Sequence, residues 1–144
     1  MISYKKAETA EELQGALQVR QLVFTKEQGI EAAADLDIHD AYATHFIALK
    51  GKKIIGTARV YLEGGNAHIG RLVVLKDERK QGVGTKLMEM AIDYANKKGA
   101  KSAISSCQVR KYQFYKELGY EKAGNEYSQV GIPHQKMKRK LGDK

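Results

Sequence analysis

The sequence predicts an α/β protein: a mixed, mostly antiparallel central sheet of about six or seven strands, flanked by helices. Three observations carry this expectation. Stretches 45–50, 54–63 and 67–75 read as strands and follow one another closely. Their connectors, Gly51-Lys52-Lys53 and Gly64-Gly65-Asn66, are short and glycine-rich, which implies an antiparallel meander. Helical spacing then returns at residue 82, and strands resume after it, giving the order β-α-(loop)-β-β-β-α-β-α-β-β.

Each element has its own signal. Ile2 to Lys6 is a short strand. Thr9-Ala10-Glu11-Glu12 fits a capping box, in which Thr9 caps the helix and Glu12 reaches back. The helix that follows carries Leu13, Leu17, Arg20 and Phe24 along one stripe, and Gly29 is a natural stop. Residues 30–44 have no clean period and read as a loop with a helical turn. In the second helix Val83, Leu87, Met90, Ala91 and Tyr94 share a face, and Gly99 closes it. Ser102 to Cys107 is a strand, and Lys111 to Leu118 is a short helix ended by Gly119. Tyr120 to Ala123 and Lys136 to Leu141 read as the last strands.

A length of 144 residues suits one domain, taken as 1–144, and allows a real core. With 42% hydrophobic and 29% charged residues the chain is expected to fold. Cys107 is the only cysteine, so no intrachain disulfide forms and a reducing compartment is the simpler reading. The start, MISYKKAETAEEL, lacks the apolar core of a signal peptide. No apolar run approaches the ~20 residues that span a bilayer. A cytoplasmic protein without membrane partners is expected. The net charge of +8 favours anionic ligands, either nucleic acid or a phosphate-bearing small molecule.

The location of the charge decides between them. Residues 78–87 read ERKQGVGTKL, two glycines among basic residues at the start of a helix. Helix N-termini expose unpaired N–H groups and hold phosphates readily. Gly82 and Gly84 let backbone approach a ligand and tolerate the positive φ angles that aim N–H groups inward. A dinucleotide fingerprint fails because Leu87 stands where a third glycine belongs, and the order Gly84-Thr85-Lys86 is wrong for a P-loop. What fits is R-x-x-G-x-G, as Arg79-Lys80-Gln81-Gly82-Val83-Gly84, after the apolar strand Arg71-Leu72-Val73-Val74-Leu75.

That motif resembles the pyrophosphate turn of the GNAT superfamily of acyl-CoA-dependent N-acetyltransferases. A second stretch, Gln108-Val109-Arg110-Lys111-Tyr112-Gln113-Phe114-Tyr115-Lys116-Glu117-Leu118-Gly119-Tyr120, resembles the family's second cofactor segment, which ends in F-Y-x-x-x-G-F/Y. Many members carry Asn and Ala early in that segment, and this chain does not. More narrowly, Val23-Phe24, Glu27-Gln28, Asp37, Asp40, His45, Gly56-Thr57-Ala58-Arg59 and Gly131-Ile132-Pro133-His134 resemble the bacterial ElaA/YjcF-like subgroup. The resemblance implies the GNAT fold and acetyl-CoA as acyl donor. It implies that Leu72, Val73 and Val74 meet the pantetheine arm. Arg79, Lys80, Gln81, Gly82, Val83, Gly84 and Thr85 would hold phosphate, and Gln108, Lys111 and Tyr115 would complete the cofactor site. Homodimers are common in such a family.

Acetyl transfer to a primary amine needs a neutral amine, an oxyanion donor and a partner for the leaving thiolate. The resemblance assigns the oxyanion to the backbone N–H of Val74 and the thiolate to Tyr115. Two groups compete as base: Glu27 at the end of the first helix, and His134 in a loop near the C-terminus. Asp35, Asp37 and Asp40 form an acidic loop that would attract a cationic amine, of a small molecule or a peptide. Glu27, Asp37, Asp40 and Arg59 are the acceptor-site candidates, Arg59 either pairing with those carboxylates or binding an anionic acceptor group. No metal is expected: His39, His45, His68 and His134 lack ligand spacing, and the acidic loop fails the EF-hand pattern. Cys107 reads as a small buried residue. The alternatives are a non-catalytic acyl-CoA sensor and a basic nucleic-acid module. The tail cations Lys136, Lys138, Arg139, Lys140 and Lys144 would serve the latter, yet their alternation with Met137 and Leu141 fits a charge-guarded edge strand.

Overall fold

The structure, a computed structural model, describes residues 1–31 and 35–142. Its seven strands are β1 (Ile2–Lys6), β2 (Thr44–Lys50), β3 (Lys53–Glu63), β4 (Asn66–Val74), β5 (Ser102–Gln108), β6 (Glu121–Gln129) and β7 (Ile132–Lys140). They form one sheet in the order β1-β2-β3-β4-β5-β7-β6. Every neighbouring pair is antiparallel except β4 with β5, which is parallel.

The helices are α1 (Ala10–Arg20), α2 (Val83–Lys97) and α3 (Tyr112–Glu117). Helix α1 starts at the expected capping box: Glu12 N–H donates to Thr9 Oγ1 at 3.0 Å, and Thr9 N–H donates to Glu12 Oε1 at 3.3 Å. It then widens into a π-helical turn over Gln21–Glu27. The buried line differs from the expected stripe. Ala16, Val19, Arg20 and Val23 are buried, while Leu13, Leu17 and Phe24 are half-buried. Helix α2 sets Val83, Leu87, Met88, Ala91, Ile92 and Ala95 into the sheet. Gly56 lies beneath it, where a Cβ would come within 3.1 Å of Val73 O and 3.2 Å of a Leu87 methyl. Helices α2 and α3 share the main core with Phe46, Ile55, Val60 and Ile69. Val19 and Val23 instead make a smaller core against Val73, on the other face.

One irregularity shapes the molecule. β4 pairs with β5 only from Asn66 to His68, against Ser102 to Ile104. Beyond that the two strands separate. β4 also bulges against β3, its register passing from Val73↔Thr57 to Gly70↔Arg59, with Arg71 at φ 51°. A bulge bends its strand and raises the twist. Ser105 fills the crotch of the fork: its hydroxyl donates to Ile69 O at 2.7 Å and lies 3.0 Å from the Tyr120 hydroxyl. The Ile69 carbonyl, which the fork deprives of a ladder partner, is thereby satisfied.

The C-terminal strands run longer than the sequence suggests. β6 extends to Gln129 and β7 starts at Ile132, joined by Val130 and Gly131 at φ 46° and 75°. His134 accordingly sits on β7 and not in a loop. The loop expected over 30–44 contains a short 3-10 turn, Ile38–Ala41. Residues 32–34 of that stretch and Lys144 of the basic tail lie outside the described residues.

Candidate active site

The fork opens a cavity of about 950 Å³, within the usual size range for a small-molecule site. Leu75 N–H donates to Ile55 O at 2.9 Å, so Leu75 and Val73 face β3 in the ladder. By alternation Leu72 and Val74 turn their N–H and C=O groups toward the gap left by β5. The Val74 carbonyl accepts Arg79 Nε at 2.8 Å. Its N–H faces the gap.

At one end of the cavity lies the glycine turn. Lys80 and Gly82 both hold positive φ, at 67° and 79°, and Gly82 caps α2 without a side-chain bond. The first bond of the helix runs from Lys86 N–H to Gly82 O. The N–H groups of Val83, Gly84 and Thr85 precede it and have no helical acceptor. All three residues line the cavity. Nothing within the chain demands a glycine at 84, since a Cβ there would meet only ordinary contacts with Phe114 and Leu72. The missing side chain leaves room on the cavity side.

Of the residues expected to hold the cofactor, Leu72, Val73, Val74, Arg79, Lys80, Gly82, Val83, Gly84, Thr85, Gln108, Lys111 and Tyr115 all line this cavity. Gln81 does not. It turns back and donates to Glu78 O at 3.1 Å. Arg79 is already engaged as a strap, its guanidinium donating to both Glu27 carboxylate oxygens at 2.8 and 2.7 Å. Burial lowers the pKa of Lys111, and the charges of Arg110 and Arg79 add to that.

Tyr115 is buried at the junction of α3 and the fork, edge-on to the rings of Phe114 and Tyr120. Burial raises its pKa well above the ordinary value, and Tyr120 and Cys107 push the same way. Cys107 is buried beside it, its thiol also pushed up by burial. His134 lines the cavity from β7. Its Nδ1 lies 2.8 Å from Ile132 O. A carbonyl only accepts, so Nδ1 carries the proton and Nε2 keeps its lone pair.

Three acceptor-site expectations are corrected. Glu27 does not line the cavity: hydrogen bonds from Arg79 occupy both its oxygens and hold its carboxyl below the usual range, which makes it a weak base. Asp37 and Asp40 are not an acidic rim either. With Asp35 they are bound to three arginines inside the protein. Arg20, fully buried, reaches Asp35 at 3.2 Å and Asp40 at 2.7 Å. Arg59 Nη1 reaches Asp37 at 2.7 Å and Asp40 at 3.1 Å. Arg71 reaches Asp37 at 3.0 Å and Asp35 at 3.3 Å. Burial alone would raise the Asp40 pKa, but hydrogen bonds from Arg20 and from the Asp37 N–H outweigh it and hold the group well below the carboxylate range. For Asp37 the Arg59 hydrogen bond and charge likewise overcome burial. Of the acceptor candidates only Arg59 lines the cavity, beside Arg71, Tyr61 and His68, which the sequence did not single out. The available signal was Arg20: a charge on an apolar helical stripe requires buried partners.

Comparison with known proteins agrees with this geometry. The family model described as an acetyltransferase (GNAT) domain matches residues 6–141. The chain belongs to the GNAT family. It is 33% identical over 132 residues to the Bacillus subtilis protein described as the uncharacterized N-acetyltransferase YjcF, covering 91% of this chain and 94% of that protein. The crystal structure of Escherichia coli ElaA superposes with a TM-score of 0.88 at 25% identity, covering 97% of this chain and all of that one. The crystal structure of the E. coli ribosomal-protein-S18-alanine N-acetyltransferase shares the fold with a TM-score of 0.77 at 18% identity, covering the whole chain and 96% of that one. The chain is thus a GNAT acetyltransferase of the ElaA/YjcF-like group. Among its described residues no helix is long and apolar enough to cross a membrane, and no cluster of His, Cys, Asp or Glu is suited to a metal.

Proposed function

We propose that the protein transfers the acetyl group of acetyl-CoA to a primary amine by direct attack in a ternary complex. One observation carries this reading: the unpaired N–H groups of Val83, Gly84 and Thr85 open onto the same cavity as the Val74 N–H and the Tyr115 side chain. A diphosphate held at the helix end leaves the pantetheine arm to run along the free edge of β4, with the thioester between β4 and β5.

The chemistry follows from the residues around that point. A lysine-like amine has a pKa of ~10.4, so only about one molecule in a few thousand is neutral at pH 7. His134 Nε2, with its lone pair free, takes the proton directly or through water. The amine nitrogen attacks the thioester carbonyl, forming the C–N bond while the carbonyl π electrons move onto oxygen. The Val74 N–H donates to that oxyanion. As the carbonyl re-forms, the C–S bond breaks, the electron pair leaves on sulfur, and the nitrogen gives up its surplus proton to solvent. The products are an acetamide and coenzyme A, whose thiolate accepts a hydrogen bond from the Tyr115 hydroxyl until solvent protonates it. The raised Tyr115 pKa makes it a hydrogen-bond donor and a poor source of a whole proton.

Calorimetry with acetyl-CoA, followed by thiol release across a panel of primary amines, tests the reading. Binding with release for at least one amine is expected. Absence of any affinity for coenzyme A sinks it. Binding without release across the whole panel would make the protein an acyl-CoA sensor instead.

A further inference from the structure

We infer that the acceptor is an amine that also carries a carboxylate, an amino acid in the chemical sense, and that Arg59 receives that carboxylate. The inference rests on the transferase reading above and adds the class of its second substrate.

Arg59 is 5% exposed, yet it lines the cavity and is only partly used. Its Nη1 is pinned between Asp37 and Asp40. Its Nε is buried without an acceptor, and among the described residues both hydrogen bonds of the guanidinium run from Nη1, which leaves Nη2 unused. A buried guanidinium donor without an acceptor is rare, because the proton forgoes water and gains nothing in return. The Nε–Nη2 edge has the fork geometry that suits a planar carboxylate, which takes two parallel hydrogen bonds from arginine. The fork is also fixed in place. The guanidinium carbon lies 5.4 Å from the centre of the Tyr61 ring, and that ring is stacked between His39 at 4.0 Å and His68 at 4.9 Å.

Charge in this part of the cavity points the same way. The three carboxylates of the acidic loop are matched by Arg20, Arg59 and Arg71, so the loop offers no net negative field to a cationic amine. What remains unmatched is Lys136, which lines the cavity and has no carboxylate partner among the described residues. Burial lowers the His68 pKa; the Glu63 charge opposes this and the Lys136 charge adds to it, so both groups stand near the Tyr61–His68 wall. A carboxylate finds a fork and a cation here, neither of which a plain polyamine can use.

The test uses matched pairs that differ only by the carboxylate: lysine against cadaverine, histidine against histamine, tyrosine against tyramine. Thiol release with acetyl-CoA gives kcat/KM for each, and calorimetry on the protein–coenzyme A complex gives binding. The carboxylate-bearing member is expected to win by at least about tenfold in the pairs that react or bind, as a charge-assisted bidentate contact requires. Arg59→Lys keeps the charge facing Asp37 and Asp40 but loses the fork, and should bring that ratio toward one. Lys136→Glu changes an exposed strand position that does not threaten folding, and should lower the ratio as well. Equal pair members, preference for the decarboxylated amine, absence of binding by every carboxylate-bearing compound, or ratios untouched by both variants would each overturn the inference. Failure to bind coenzyme A would instead strike the transferase reading itself.

Discussion

At the scale of single residues, the site separates holding a proton from giving one away. Tyr115 lies in a dry corner of the cavity, where burial and the neighbouring Tyr120 and Cys107 keep its hydroxyl protonated. Such a group stabilises a thiolate by hydrogen bonding across the whole working pH range and does not ionise itself. Hydrogen bonds to charged groups contribute about 1.5–3 kcal/mol, so Tyr115→Phe should lower kcat by roughly ten- to a hundredfold. Affinity for acetyl-CoA should stay within about twofold, because the ground-state thioester asks little of that hydroxyl. Steady-state kinetics beside calorimetry reads both quantities, and an unchanged kcat would remove Tyr115 from the chemistry. In the proposed mechanism His134 plays the opposite part: the Ile132 carbonyl accepts from Nδ1 and so leaves the lone pair on Nε2. Glu27 illustrates why a carboxylate near a site is not yet a base: Arg79 has already claimed both of its oxygens.

At the scale of elements, the cluster of Arg20, Arg59 and Arg71 with Asp35, Asp37 and Asp40 ties α1 and the acidic loop to β3 and β4. Removing one partner strands a buried charge, which typically costs about 3–5 kcal/mol. Arg20→Met should therefore lower stability by about that amount, read as a shift in the urea midpoint at constant slope. The pH dependence follows from the sign of the shift. The folded-state pKa values of Asp37 and Asp40 lie below their unfolded ones. Their contribution is thus complete above the unfolded value of about 3.9 and is lost as pH falls through the folded values. Asp40→Asn should flatten that acid limb of a stability profile, and a limb of unchanged slope would count against the cluster. These contacts also mark the limit of what the sequence reveals. The capping box of α1, the meander and the glycine turn are local, so residue type and spacing announce them. Arg20 bonds to partners 15 and 20 positions away, which no local pattern records. The buried line Ala16, Val19, Arg20 and Val23 has ordinary helical spacing, but it lies beside the stripe of Leu13, Leu17 and Phe24, and apolar residues on both lines leave the sequence pattern ambiguous. The far end of β6 is almost wholly exposed and shows no apolar alternation, so only its pairing with β7 defines it. His134 then follows β7 into the cavity, although Gly131 and Pro133 give that stretch the look of a loop.

At the scale of the whole molecule, the fork divides the protein into a four-stranded part, β1 to β4, and a three-stranded part, β5 to β7. The parts meet along three paired positions and the Ser105 bridge, and the cavity is the space their divergence leaves. Residues far apart in sequence thus share one chamber, and most of the charge they bring is positive. Arg59, Arg71 and Arg79 are neutralised within the protein by carboxylates. Lys80, Arg110, Lys111 and Lys136 also line the cavity and have no carboxylate partner among the described residues. Part of the net charge of +8 is therefore concentrated where a polyanion would enter. A field of this kind attracts coenzyme A but acts only weakly on pantetheine, which has no phosphate. Screening separates the two: between about 0.01 M and about 1 M salt the Debye length shrinks from about 30 Å to about 3 Å. Over that range the affinity for coenzyme A should fall by at least about tenfold while that for pantetheine stays nearly level. Lys80→Ala should reduce the salt slope for coenzyme A, because Lys80 is the unmatched cation within the glycine turn itself. Calorimetry across a salt series reads all three, and equal slopes for coenzyme A and pantetheine would show that the cavity's cations do not face the phosphates.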